Sequence, residues 1–134
     1  MLLPIIADSF DLSCFGHFFE LCKSLAPVIL EENWKTEYED LLYKMQAYLQ
    51  NIDISDFRLE IISHRFTTRA KNNILQVFPQ TLLPMDEKTD RKFKYGQFGY
   101  GKFVYTDEKL NDMKVFFTEK INSIFDNKII KYII

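Results

Sequence analysis

Between Tyr38 and Ile52 the apolar side chains Tyr38, Leu41, Leu42, Met45, Tyr48, Leu49 and Ile52 recur every three or four residues. At 3.6 residues per turn they share one face, so the spacing predicts an amphipathic helix. Thr36, with Glu39 three positions on, predicts its start as a capping box. From Phe57 to Ser63 the period changes: Phe57, Leu59 and Ile61 alternate with Arg58 and Glu60, the pattern of a half-buried strand. "TTRAKNNILQVF" returns to helical spacing. Thr67 or Thr68 is its cap, Ala70, Ile74, Val77 and Phe78 point inward, and Pro79 closes it. After the loop "PQTLLPMDEKTD", Lys92–Tyr95 and Lys102–Tyr105 read as the two strands of a hairpin over residues 92–105. Thr106 caps a helix through Phe125, with Asp107 and Glu108 at the positive end of its dipole. Leu110, Met113, Phe117, Ile121 and Ile124 form its buried stripe, and Lys128–Ile134 is a last strand. Upstream, Ala26–Leu30 suits a buried strand. Leu2–Ile6 as a short strand and His17–Leu25 as a helix follow from weaker patterns.

Strand, helix, strand, helix, hairpin, helix, strand is an α/β order, and long helices between strands favour parallel pairing with right-handed crossovers. Two or three such strands leave unpaired N–H and C=O groups at open edges, so the expectation is a portion of something larger. The longest apolar runs are too short to span a membrane, and no basic residue precedes the first one as in a signal peptide. The expected location is the cytoplasm. Cys14 and Cys22 have neither a disulfide-framework nor a zinc spacing and read as reduced structural thiols.

The net charge of −2 conceals a gradient. Residues 1–90 hold 8 Lys and Arg against 14 Asp and Glu; residues 91–134 hold 9 against 5. Affinity for a polyanion is therefore expected in the last third. The sign changes at "RKFKYGQFGYGKFVY", residues 91–105, which contains three of the four glycines, six aromatics and four cations. Its G-x-x-G-x-G order, within a hairpin, is not the dinucleotide fingerprint. "GYGKFVY" only partly matches the aromatic strand of RNA-recognition domains, because Lys102 interrupts it. The composition suits nucleic acid: cations neutralise phosphates, aromatic faces stack on bases, and glycines admit a close backbone approach. A twisted hairpin with a half-buried aromatic face and solvated lysines is the plainer alternative.

"SHRFTT" lies where the Phe57 strand ends, and ligands of α/β proteins gather beyond strand carboxyl ends. His64 could titrate or donate a hydrogen bond there, and Arg65 could fix a carboxylate or phosphate. A structural histidine and a surface arginine are the competing reading. Glu31 and Glu32 follow another strand end and could form a catalytic carboxylate pair, but a solvated turn before Trp34 is the preferred reading. No G-x-S-x-G motif is present.

In this order, "APVILEENWKTEYEDLL", "ISHRFTTRAKNNILQVFPQTLLPMDE", "RKFKYGQFGYGKFVY" and "FFTEKINSIFDNKIIKYII" resemble the C-terminal portion of spore photoproduct lyase, a radical SAM DNA-repair family. The resemblance implies the C-terminal part of a partial (β/α) barrel of radical-SAM type, ending in a β-hairpin, helix and final strand. It divides the chain into a divergent segment 1–25 and a family-like segment 26–134. It also implies a [4Fe–4S] cluster on a C-x-x-x-C-x-x-C motif, S-adenosylmethionine, and reversion of 5-thyminyl-5,6-dihydrothymine in UV-damaged DNA to two thymines. The hairpin residues Arg91, Lys94, Tyr95, Gln97, Phe98 and Lys102 become the expected DNA and lesion contacts. Gln97 and Phe98 stand at the tip where many relatives have Arg and Tyr. His64 and Arg65 fall on the SAM side or at the barrel mouth. The chain lacks the cysteine motif, so it is expected to hold no cofactor, to be inactive alone, and to be a truncated fragment. A separate N-terminal half supplying the cluster is then an expected partner. An autonomous, non-enzymatic nucleic-acid-binding module is the alternative.

Overall fold

The computed structural model describes residues 21–134. The candidate strand Leu2–Ile6, residues 17–20 of the candidate helix, Cys14 and His17 lie outside the described residues. The first strand, β1 (Leu21–Val28), begins inside the expected helix His17–Leu25. The reason is tertiary: β1 runs parallel to β2 (Phe57–Ser63), in register from Leu21 opposite Phe57 to Leu25 opposite Ile61. A ladder along the whole strand satisfies more backbone groups than a short helix of weak pattern would. On the other flank of β2, β5 (Ile130–Ile133) also pairs parallel, so the sheet order is β1-β2-β5.

Phe57, Leu59, Ile61 and Ser63 of β2 are all buried, while Arg58, Glu60 and Ile62 between them are half-buried on the opposite face. The buried face meets α1 (Trp34–Leu49) and α3 (Asp107–Ile124). From α1 come Tyr38, Leu42, Met45 and Leu49; from α3 come Met113, Phe116, Phe117, Ile121 and Ile124. Full burial of such side chains contributes about 1.5–3 kcal/mol each. Trp34 closes the cluster edge-on to Phe116, with ring centroids 4.9 Å apart. That packing explains why α1 starts at Trp34 rather than at a Thr36 cap. Asn33 precedes it at φ 66° without a side-chain cap bond, Thr36 is exposed inside the helix, and the expected capping box does not form. Tyr48, expected inward, is exposed.

α2 (Thr68–Val77) departs further from expectation. Thr67 is its cap, accepting from the Ala70 N–H at 3.0 Å, but no residue of the helix is buried. Val77 and Phe78, expected inward, are 67% and 65% exposed, and Leu75 and Leu82 are exposed beside them. An apolar helix face left in solvent is one that another surface would cover. The antiparallel hairpin, β3 (Arg91–Tyr95) with β4 (Gly101–Tyr105), forms a second sheet one residue longer per strand than expected. Thr106 caps α3 as expected, with Asp107 and Glu108 in its first turn.

Phe117 is fully buried at the centre of the core, whereas Phe78 is solvated. Phe117→Ala should cost about 3–5 kcal/mol in urea unfolding. Phe78→Gln should stay within about 0.5 kcal/mol of the parent.

Candidate nucleic-acid interface

The hairpin is fastened to the main sheet at the carboxyl end of β2. Backbone bonds run both ways between Phe66 and Phe103, at 3.1 Å and 2.7 Å. Arg91, expected to face DNA, is instead buried at this junction. Its Nη1 donates to the His64 carbonyl at 2.6 Å, and its Nη2 meets His64 Nδ1 at 2.9 Å and donates to the Pro84 carbonyl at 3.1 Å. The guanidinium lies 3.6 Å from the Tyr105 ring centroid. Its donors are used inside the fold, so Arg91 positions the hairpin rather than presenting a charge. Tyr105 in turn accepts from the Leu30 N–H at 3.0 Å, and Tyr38 accepts from the Ile29 N–H at 3.0 Å. These two hydroxyls satisfy the backbone where the chain leaves β1. Burial pushes the Tyr38 hydroxyl up to about 12.

Because a guanidinium only donates, His64 Nδ1 must accept and its proton sits on Nε2. Burial and the adjacent Arg91 charge together lower the His64 pKa to about 4. His64 is thus a neutral structural acceptor, not a base with a free Nδ1. Its ring stacks on Phe66 at 5.8 Å, Phe66 on Phe103 at 5.3 Å, and Phe93 meets Phe103 at 5.2 Å and Tyr95 at 4.9 Å. A row of rings therefore runs from the buried junction to the free end of the hairpin.

At that end the aromatics face solvent: Tyr95 is 82%, Phe98 91% and Tyr100 79% exposed. Phe98 holds φ 65°, which an L-residue adopts at a cost on the order of 1–3 kcal/mol. Gly99 follows at φ 76°. Gly101 is required by packing, because a Cβ there would come within 1.9 Å of the Phe93 ring. Gln97 and Lys94 are exposed and Lys102 half-exposed. Strand alternation puts Lys92, Lys94 and Lys102 on the face opposite the rings, and Lys94 stands directly across from Lys102. Like charges so placed repel.

The cationic face borders a cavity of about 510 Å³ whose lining includes Ser63, Arg65, Lys92, Lys94, Asp107 and Lys114. Arg65 therefore lies beside the hairpin lysines, apart from the buried His64. Lys114 of α3 escaped the sequence reading. Its only signal was a cation on the solvent face of α3, seven residues after Asp107. Glu31 and Glu32 are exposed and line a different cavity, of about 690 Å³, with Asp86, Asp90 and Lys109. Among the described residues no group of three or more His, Cys, Asp or Glu side chains could hold a metal. No described helix is long and apolar enough to cross a membrane.

The family model for spore photoproduct lyase matches residues 16–134. A spore photoproduct lyase of Clostridium acetobutylicum is 54% identical over 110 residues, which are 82% of this chain and 32% of that protein. The Bacillus subtilis protein of the same name is 33% identical over 108 residues, 81% of this chain and 31% of its own length. A solved mutant of spore photoproduct lyase, with bound AdoMet and dinucleoside spore photoproduct, superposes with a TM-score of 0.80 at 36% identity. That match covers 86% of this chain and 34% of the solved one. The chain thus spans about a third of the length of the relatives it matches.

The His64–Arg91 contact makes stability depend on pH. The folded pKa near 4 lies below the ordinary 6.5, so the unfolded chain binds the extra proton first. His64's contribution is complete above about pH 6.5 and is lost as pH falls toward 4, roughly 3 kcal/mol in all. An NMR titration of the His64 ring should give a midpoint near 4; one at 6 or above would contradict the contact. Arg91→Ala should destabilise the fold by about 3 kcal/mol, because it strands buried acceptors.

Proposed function

The chain belongs to the spore photoproduct lyase family, and from that premise we propose that it forms the portion of such an enzyme that grips damaged DNA. The whole enzyme would revert 5-thyminyl-5,6-dihydrothymine to two thymines by radical S-adenosylmethionine chemistry, in the cytoplasm where the chromosome lies. The observation that carries the reading is the hairpin end. Three aromatic rings, Tyr95, Phe98 and Tyr100, project into solvent beside exposed Lys94 and half-exposed Lys102. Exposed rings of this size fill the gap left by an unstacked base, and lysines neutralise the flanking phosphates. Phe98, strained at the extremity, is the proposed wedge, with Gln97 beside it. Contact there depends on shape, since neither side chain is charged.

The cluster does not fit this chain. A [4Fe–4S] site needs several thiolates, and the sequence has only Cys14 and Cys22. We therefore assign the cluster and the S-adenosylmethionine site to protein beyond these 134 residues, whether a separate N-terminal half or continuous polypeptide. The exposed face of α2 (Leu75, Val77 and Phe78) is where we place that contact. A stand-alone nucleic-acid-binding module is the second reading, favoured by the single buried core shared by β2, α1 and α3.

Anisotropy on labelled duplexes tests the proposal. Phe98→Ala should weaken binding to a duplex carrying the lesion by roughly 5- to 100-fold and to an intact duplex by much less. Equal losses on both would remove the wedge role. Iron and sulfide reconstitution of the chain should yield no cluster absorbance; a stable cluster with cleavage of S-adenosylmethionine would overturn the division of labour.

A further inference from the structure

The cavity at the foot of the hairpin, about 510 Å³, brings together groups from three elements and from the segment that follows β2. Ser63 ends β2, Arg65 follows it, Lys92 and Lys94 come from β3, and Asp107 and Lys114 come from α3. Four cations thus face one carboxylate side chain, Asp107, whose Oδ1 is already bonded to Lys92 Nζ, and the Ile134 main-chain oxygen on the same wall is occupied by the Ser63 N–H at 2.6 Å. Lys94 and Lys114 have no ion-pair partner among the described residues. Arg65 makes only a long bond, 3.5 Å, from Nε to the Ser63 carbonyl.

Two further observations favour an anion as the group this cavity takes. Ser63 is 2% exposed, and its Oγ has no hydrogen-bond partner among the described residues. A buried hydroxyl without a partner is uncommon and is normally satisfied by something seated against it. Lys94 also stands directly opposite Lys102 on the paired strand, a repulsion that an anion between or beside them relieves.

We propose that this cavity seats one backbone phosphate of a nucleic-acid strand, held by Lys94, Lys114 and Arg65 with Ser63 as a hydroxyl donor. The inference rests on the DNA-gripping reading above and deepens it by naming a phosphate site away from the aromatic end. The same strand is then held by charge at the foot of the hairpin and by stacking at its tip. Arg65 and Lys114, on different elements, orient that strand relative to the sheet as well as attract it.

The test uses the 134-residue chain, a labelled thymine oligonucleotide over a range of salt, and inorganic phosphate as the free-anion probe. The slope of log affinity against log salt should fall by about 0.7 in Lys114→Gln and by a similar amount in Arg65→Gln. Lys114→Arg should restore it, and Lys44→Gln, at a lysine paired with Asp40 on α1, should leave it unchanged. Amide shifts of Ser63, Lys94 and Lys114 should move with the oligonucleotide at far lower concentration than with phosphate. An unchanged slope in both Lys114→Gln and Arg65→Gln, with the parent still binding, overturns the cavity assignment and leaves the DNA reading standing. Loss of any salt-dependent binding by the parent chain overturns both. Phosphate binding as tight as the oligonucleotide's overturns the nucleic-acid assignment in favour of a free-anion site.

Discussion

The hairpin can present its rings only because one buried guanidinium holds its root. Arg91 satisfies the His64 carbonyl, His64 Nδ1 and the Pro84 carbonyl while lying against the Tyr105 ring. These groups come from the carboxyl end of β2, the long loop and both hairpin strands. A charge in so little water is costly unless every donor finds a partner, and here several acceptors converge on it. Burial keeps His64 neutral, and the neighbouring Arg91 charge adds to it, since a second cation there would be repelled. The junction therefore fixes the hairpin root against the main sheet.

From that root the structure separates two kinds of force on two faces. One face carries the row His64, Phe66, Phe103, Phe93 and Tyr95, each ring within stacking or edge contact of the next. The other carries Lys92, Lys94 and Lys102. Apolar contact gives the hairpin shape at short range; Lys94 and Lys102, without an ion pair among the described residues, give it reach at long range, limited by the Debye length. Phe98, strained and solvated at the end, gains nothing from the fold that displays it.

Elements with a strong period were legible. β2 alternated over seven residues, and α3 carried both a Thr106 cap and an unbroken apolar stripe, so local physics and tertiary packing agreed. Disagreement arose where one side of an element's environment decided its fate. β1 took strand geometry at residues with a weak helical pattern because β2 offered a parallel ladder. Thr36 and Glu39 had the right spacing for a cap, but Trp34 packing on Phe116 started the helix earlier. α2 had a correct apolar pattern with no neighbour among the described residues to bury it. For the site, composition revealed the cationic, ring-rich hairpin. It could not distinguish Arg91, turned inward, from Lys94, turned outward, since both alternate within the same short strand.

Charge segregation, the glycine–aromatic spacing and the helical and strand periods were properties of the amino-acid order alone, because they depend on neighbours only a few residues apart. Which cation is spent on the fold, that Lys114 and Arg65 line one cavity, and that the Ser63 hydroxyl has no partner among the described residues depend on residues brought together from distant parts of the chain. A hydrogen bond is decided within a few tenths of an ångström, and a linear pattern holds no such distance. Only the packing of β2, the hairpin and α3 sets it.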